Sequence, residues 1–341
     1  MTDTLIDDDR TQAPAAAAGP YVRADVRGFL DYLNSVPGPK THEGTAEAAR
    51  AMYLAMKDIA DPPIGTLGTV KDLTIPGPAG DIPARLFDPR DSREPGPVVV
   101  FFHGGGFVIG NIDTHASFTA EMARQLDLPV VSVDYRLAPE AKWPAAPEDC
   151  EAAARWVASN PAELGRRATG LILSGDSAGG TLTITTTMAL RDTPADVPVI
   201  VQAPIYPAAD MNKEYPSFND FAEGFLLTRD TMTWFADHYQ ADFTHFRGSP
   251  MVGSLVGLPP AVVITASLDP IRDQGRAYAA ALVLAGVPVT YREAVGNVHG
   301  FITLRQAVPS SAGDVAGYLA ALKDVIVEPE GARVMKQAAG A

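Results

Sequence analysis

Cysteine is nearly absent from this chain of 341 residues: Cys150 stands alone. One thiol closes no intrachain disulfide and builds no thiolate metal cluster. Positive charge is scarce as well. Lys and Arg number 27 against 41 Asp and Glu, a formal net charge of −14, which repels phosphate backbones and anionic lipid and argues against a nucleic-acid partner. No uninterrupted apolar run approaches the roughly 18–20 residues of a membrane span. Residues 1–10 carry four aspartates, the wrong charge for the start of a secretory signal. The expected setting is therefore soluble and reducing, the cytoplasm. Histidine is sparse too, six in all, so acid–base chemistry near neutral pH falls to few candidates.

What is present is a globular α/β pattern. Residues 1–20 are acidic, then Ala-rich, and are expected to be disordered. Residues 21–60 show apolar positions at helical spacing, interrupted by Pro37-Gly38-Pro39. Two β-rich runs, 70–75 and 82–87, flank Pro76-Gly77-Pro78-Ala79-Gly80 and read as a hairpin. Apolar runs at 97–102, 130–133, 171–173, 199–202, 261–265 and 289–291 then alternate with helical stretches near 114–126, 147–159, 178–190, 271–285 and 312–325. Continuous rather than alternating apolar strands suit a mostly parallel sheet covered by helices on both faces. Residues 206–250 break this rhythm, and 220–240 read as an inserted aromatic helical segment. Residues 326–341 carry no readable role.

The chemistry centres on Gly175-Asp176-Ser177-Ala178-Gly179. A β-rich run leads into this G-x-S-x-G and a helical run leaves it, the context of a nucleophile elbow. A serine hydroxyl attacks only when it is exposed, deprotonated by a neighbour and placed beside oxyanion donors. The elbow supplies exposure, and the helix it opens offers the free N–H of Ala178. A second donor is expected from a Gly-rich loop after an earlier strand, and His103-Gly104-Gly105-Gly106-Phe107 follows 97–102 directly. The base and the orienting acid are expected downstream of the serine. His299 lies in the loop after the last strand, and Asp269 is the first acid after 261–265, with Asp273 as the alternative.

Read together, His103-Gly104-Gly105-Gly106, Tyr135-Arg136-Leu137-Ala138-Pro139-Glu140, Gly175-Asp176-Ser177-Ala178-Gly179-Gly180, Asp269-Pro270-Ile271-Arg272-Asp273 and His299-Gly300-Phe301 resemble the motifs of the bacterial hormone-sensitive-lipase-like carboxylesterases, in order and approximate spacing, over roughly residues 70–325. The resemblance implies an α/β-hydrolase fold with a helical cap. The cap would comprise 21–60 and 206–250, and the catalytic domain 61–205 and 251–330. It implies Ser177 as nucleophile, His299 as base and Asp269 as orienting acid, with the N–H groups of Gly105, Gly106 and Ala178 as the oxyanion hole. His103, Gly104 and Asp176 would support these without reaching substrate. The sequence departs from the family pattern at Thr181, where Asn is usual, and at Gln274, where Glu is common.

The implied reaction is hydrolysis of a small-molecule acyl ester of short to medium chain, with no cofactor and no metal. An amidase, thioesterase or deacetylase would use the same three residues. A receptor on the hydrolase fold, as in plant gibberellin receptors, lacks the catalytic histidine, whereas His299 is intact here. An interfacial lipase ranks lower because no extended apolar lid is evident. Phe107, Phe218, Phe221, Phe225 and Leu226 are candidates for an apolar substrate pocket, although an aromatic stripe is more often plain core, and Gly224-Phe225 reads alternatively as a hinge between cap helices. The resemblance also implies a homodimer through the last strand and helix; the sequence itself carries no interface signature.

Overall fold

The computed structural model describes residues 19–339. The expectation of disorder over 1–20 thus falls, except for Gly19 and Pro20, outside the described residues. The chain begins with α1 (Ala24–Ser35) and α2 (Ala46–Ala60). Thr45 caps α2 by accepting the Ala48 N–H. The hairpin follows as β1 (Thr69–Gly77) and β2 (Gly80–Asp88), closed where Gly77 faces Gly80.

An alternating series completes the fold: β3 (Gly96–Phe102), α3 (Ile112–Leu126), β4 (Val130–Val133), α4 (Ala145–Ala158), β5 (Ala168–Asp176) and α5 (Ala178–Asp192). After β6 (Val199–Ile205) come the short α6 (Pro216–Asp220) and α7 (Arg229–Tyr239), then β7 (Ala261–Leu268), α8 (Arg272–Leu284), β8 (Val289–Val298) and α9 (Ser311–Ala339). The strands form one sheet in the order β1-β2-β4-β3-β5-β6-β7-β8. The first two pairings, β1 with β2 and β2 with β4, are antiparallel, and the remainder are parallel.

Side-chain alternation divides β3 between two cores. Val98, Val100 and Phe102 pack with Cys150, Ala153, Val157 and Leu182 of α4 and α5. Val99 and Phe101 pack with Phe118 and Met122 of α3 and with Tyr318 and Leu322 of α9. Burial on both faces explains why these strands read as unbroken apolar runs. The Thr-rich α5 is buried nearly throughout. Thr183 and Thr187 satisfy their hydroxyls by donating to the carbonyls of Gly179 and Thr183, four residues back.

Three elements differ from the sequence expectation. β8 continues to Val298 because pairing with β7 persists past the apolar run, through the exposed Arg292 and the half-buried Glu293. The segment 220–240 is not one helix: it turns over 221–228, where Gly224 and Leu226 have φ +82° and +71°, and re-enters helix at Arg229. α9 runs to Ala339 rather than ending near 325. Beyond Ile326, Val327 and Met335 face solvent, so these apolar residues mark no buried face. Among the described residues no helix is long and apolar enough to cross a membrane.

Candidate active site

Strand register brings the site together. Phe102 at the end of β3 lies opposite Gly175 in β5, so the Gly-rich loop and the serine turn leave neighbouring strands side by side. Leu268 of β7 lies opposite Val298 of β8, so Asp269 and His299 each emerge one residue past a paired position. All four segments therefore converge at the carboxyl edge of the sheet, where ligands bind in open α/β folds.

Ser177 has φ +55° and ψ −117°, a conformation that non-glycine residues avoid. The turn closes with the Ser177 N–H donating to Ile205 O at 2.9 Å and the Thr181 N–H donating to Ser177 O at 3.0 Å. Gly179 must be glycine, because a Cβ there would run into the Phe102 carbonyl oxygen. Gly105 is constrained likewise: its φ is +119°, and a Cβ would meet the Ile109 carbonyl.

Ser177 Oγ lies 2.9 Å from His299 Nε2, and His299 Nδ1 lies 2.7 Å from Asp269 Oδ2. A carboxylate only accepts, so Nδ1–H donates to Asp269, and in the neutral ring Nε2 is free to accept the serine proton. Asp269 is fully buried and its other oxygen accepts the Ile271 N–H at 2.9 Å. The alternative acid, Asp273, is engaged elsewhere, accepting from Arg272 and from the Ser217 N–H. Among the described residues nothing accepts from the N–H groups of Gly105, Gly106 or Ala178. Three unsatisfied donors beside a serine–imidazole–carboxylate relay suit an oxyanion.

The supporting residues are tied to one another. Asp176 Oδ1 accepts the Gly104 N–H at 2.7 Å, and Oδ2 accepts the Tyr206 hydroxyl at 3.3 Å. The Tyr206 ring packs on the His299 imidazole, centroids 4.6 Å apart. His103 stacks on Tyr135 at 4.3 Å, and Tyr135 donates to the His103 carbonyl at 2.7 Å. Burial, aided by the charge of His115, pushes the His103 imidazole down to about 3. It is thus neutral and makes no ion pair with Asp134, 3.7 Å away.

Asp134 carries the opposite consequence. Burial, with the nearby charge of Asp113, pushes its carboxyl up to about 6. The native state then holds this proton more tightly than the unfolded chain, and ionisation costs stability as pH rises from about 4 through 6. Asp134→Asn is therefore expected to stabilise the fold at pH 7.5 by about 1 kcal/mol, an amount reduced by partial solvent exposure, and to do nothing at pH 4. Urea unfolding at the two pH values checks this; an equal shift at both would contradict it.

A cavity of about 300 Å³ opens over Ser177 and His299 and is lined by Gly105 and Gly106. Its apolar walls come from Phe29, Met52, Tyr53, Met56, Leu226, Leu227 and Phe235. Of the five pocket candidates only Leu226 is among the lining residues. Phe107 instead stacks on Tyr239 at 3.9 Å, and Phe218 lies under the Arg229 guanidinium. Phe221 is buried against Val26 and Leu30 with Phe225 beside it. The turn over 221–228 accounts for the correction: it turns these rings toward α1 and brings Leu227 and Phe235 to the serine. Ala49, Met52, Tyr53 and Met56 of α2 all line the cavity, a grouping that helical spacing alone does not give, because spacing does not say whether a face meets core or cavity. Thr181 donates to Ala208 O and Gln274 accepts the Asp210 N–H. Both departures from the family pattern thus anchor the start of the 206–250 segment.

Residues 99–303 match the family described as the α/β-hydrolase fold. The esterase LipI of Mycobacterium tuberculosis is 36% identical over 306 residues, 87% of this chain and 94% of LipI. The chain belongs to the hormone-sensitive-lipase-like carboxylesterases of the α/β-hydrolase fold. The carboxylesterase NlhH of the same organism is 39% identical over 253 residues, 71% of this chain and 78% of NlhH. A solved ester hydrolase from the metagenome of Lake Arreo superposes with TM-score 0.84 at 34% identity, covering 89% of this chain and 98% of that one. Membership places this carboxylesterase family's sheet, loop order and enzyme class on the chain.

Proposed function

We propose that this carboxylesterase hydrolyses short- to medium-chain acyl esters through a Ser177–His299–Asp269 triad and an acyl-enzyme intermediate. The observation that carries the reading is the unbroken relay of 2.9 Å and 2.7 Å from Ser177 through His299 to Asp269. Oγ attacks the ester carbonyl as Nε2 takes its proton, and the carbonyl oxygen, now negative, sits on the N–H groups of Gly105, Gly106 and Ala178. The imidazolium, steadied by Asp269, protonates the leaving alcohol, and water then repeats the sequence to release the acid. The helices of 21–60 and the 206–250 segment act as a cap, since both contribute walls to the cavity over Ser177.

A cavity of about 300 Å³ is at the small end of ligand sites, and its apolar lining selects an alkyl or aryl arm. Hydrolysis of p-nitrophenyl esters from two to sixteen carbons is expected to peak at short to medium chains and to fall away beyond them. A maximum at sixteen carbons would replace this reading with a lipase. If no ester is cleaved, the leaving-group chemistry is different, and a fluorophosphonate that labels Ser177 would retain the nucleophile while rejecting the ester substrate.

A further inference from the structure

His115 lies beneath the serine turn and takes no part in the relay. It is completely buried on α3. Its Nε2 lies 3.1 Å from Oδ1 of Asp176, the residue immediately before Ser177. Nε2 forms no hydrogen bond there, but the separation is of ion-pair length. The same carboxylate oxygen accepts the Gly104 N–H at 2.7 Å, and Gly104 directly precedes Gly105 and Gly106. One buried carboxylate thus joins the serine turn, the Gly-rich loop and His115.

The hydrogen-bond partners of His115 point to where its protons lie. The Thr114 hydroxyl donates to Asn111 O at 2.8 Å and accepts the Asn111 N–H at 3.0 Å. Its remaining lone pair faces His115 Nδ1 at 2.9 Å, so Nδ1 is the donor there. Nε2 sits 3.1 Å from a buried carboxylate that needs a countercharge, and a proton on Nε2 supplies it. Both ring nitrogens protonated means an imidazolium. The other groups around it are uncharged: His103 at 5.7 Å, Tyr53 of α2 at 6.1 Å and Phe101 of β3 at 6.1 Å. Burial keeps the first neutral and raises the phenol of the second. Among the described residues no Lys or Arg pairs with Asp176, so His115 is the countercharge beneath it. Burial alone would raise the Asp176 carboxyl, but the charge of His115, ahead of His299 and the Gly104 bond, outweighs it and holds the group below the usual carboxylate range.

We propose that His115 is a positioning residue for ester hydrolysis: a buried imidazolium paired with Asp176 that keeps Gly104, and through it the oxyanion donors Gly105 and Gly106, set against Ser177. This rests on the reading of Ser177 as nucleophile. Losing the pair leaves the nucleophile and base in place but loosens donors that act on the transition state, so kcat falls while substrate binding is retained.

The test has two arms on the full chain. Histidine-selective ¹⁵N labelling, with the His115 signal assigned by its loss in His115→Gln, is expected to show both ring nitrogens protonated at pH 7 in the wild type and a neutral ring in Asp176→Asn. On p-nitrophenyl butyrate, His115→Gln is expected to lower kcat about 10- to 100-fold, less than outright removal of a donor, with KM changed less than about threefold. Adding Asp176→Asn to it should bring no further multiplicative loss. A neutral His115 in the wild type overturns the proposal. So does a His115→Gln enzyme whose kcat stays within twofold, or whose loss lies in KM. If the wild type itself cleaves no ester, the hydrolase reading falls instead, and the labelling arm alone decides whether the ion pair exists.

Discussion

Ser177→Ala and His299→Ala are each expected to lower turnover of p-nitrophenyl butyrate by a factor of about 10⁴ or more. Ser177 Oγ has one hydrogen-bond partner among the described residues, His299 Nε2 at 2.9 Å. Removing Oγ therefore deletes the nucleophile and leaves the backbone of the turn, which is held by Ile205 O and Thr181 N–H, untouched. Circular dichroism and melting of Ser177→Ala should match the wild type. His299→Ala removes the proton acceptor and strands the buried Asp269, so its loss of rate comes with some loss of stability. Residual activity in both should be similar, because the remaining rate comes from the oxyanion donors and from binding, which neither substitution touches. Turnover within tenfold of wild type in purified Ser177→Ala would sink the nucleophile assignment. The same result in His299→Ala alone would leave the serine and require another base.

The second large effect is on stability. Asp61, just past α2, and Arg305, just past His299-Gly300-Phe301, are both almost fully buried. The guanidinium donates to Asp61 Oδ1 at 2.8 Å and Oδ2 at 2.7 Å, and its Nη2 also reaches Ser117 Oγ at 2.7 Å. The backbone N–H groups of Gln306 and Ala307 add bonds to Ala60 O. This clamp ties the N-terminal helices to the loop that carries His299. Removing one partner leaves a charge buried without compensation, so Arg305→Met or Asp61→Leu alone is expected to cost about 3–5 kcal/mol. The double change Asp61→Leu with Arg305→Met should cost far less than the two singles summed, because no lone charge remains. Denaturant midpoints of the four proteins measure this. Strict additivity would show that the two groups act as separate packing residues. Neither side chain touches Ser177, so any loss of rate in the single variants reports movement of the His299 loop.

Much of this protein is local in origin. Each β3–β7 strand is a short apolar run buried on both faces, and the hairpin is set by Pro76-Gly77-Pro78-Ala79-Gly80, so a window of ten residues contains the information. The serine turn is equally legible as G-x-S-x-G in one short window, although the steric demand for glycine at 175 and 179 comes in part from the Phe102 carbonyl of the neighbouring strand β3. The order Ser177, Asp269, His299 is readable because each lies just after a strand, and parallel strands deliver such residues to one edge.

Tertiary structure alone decided the rest. Which wall of the cavity a residue faces depends on the turn at Gly224 and Leu226 and on how α1 and α2 lie over it. That is why Phe221 and Phe225 read as pocket residues and proved to be packing against α1. The Asp61–Arg305 clamp spans 244 residues of sequence, and the His115–Asp176 contact joins α3 to the end of β5. No periodicity links such pairs. Residue type and spacing determine strands, helices, turns and the chemistry each loop presents, because these are settled by a residue's own backbone and near neighbours. Partners of buried charges and the shape of the cavity are settled by strand order and helix packing, which bring distant segments into contact only once the sheet has closed.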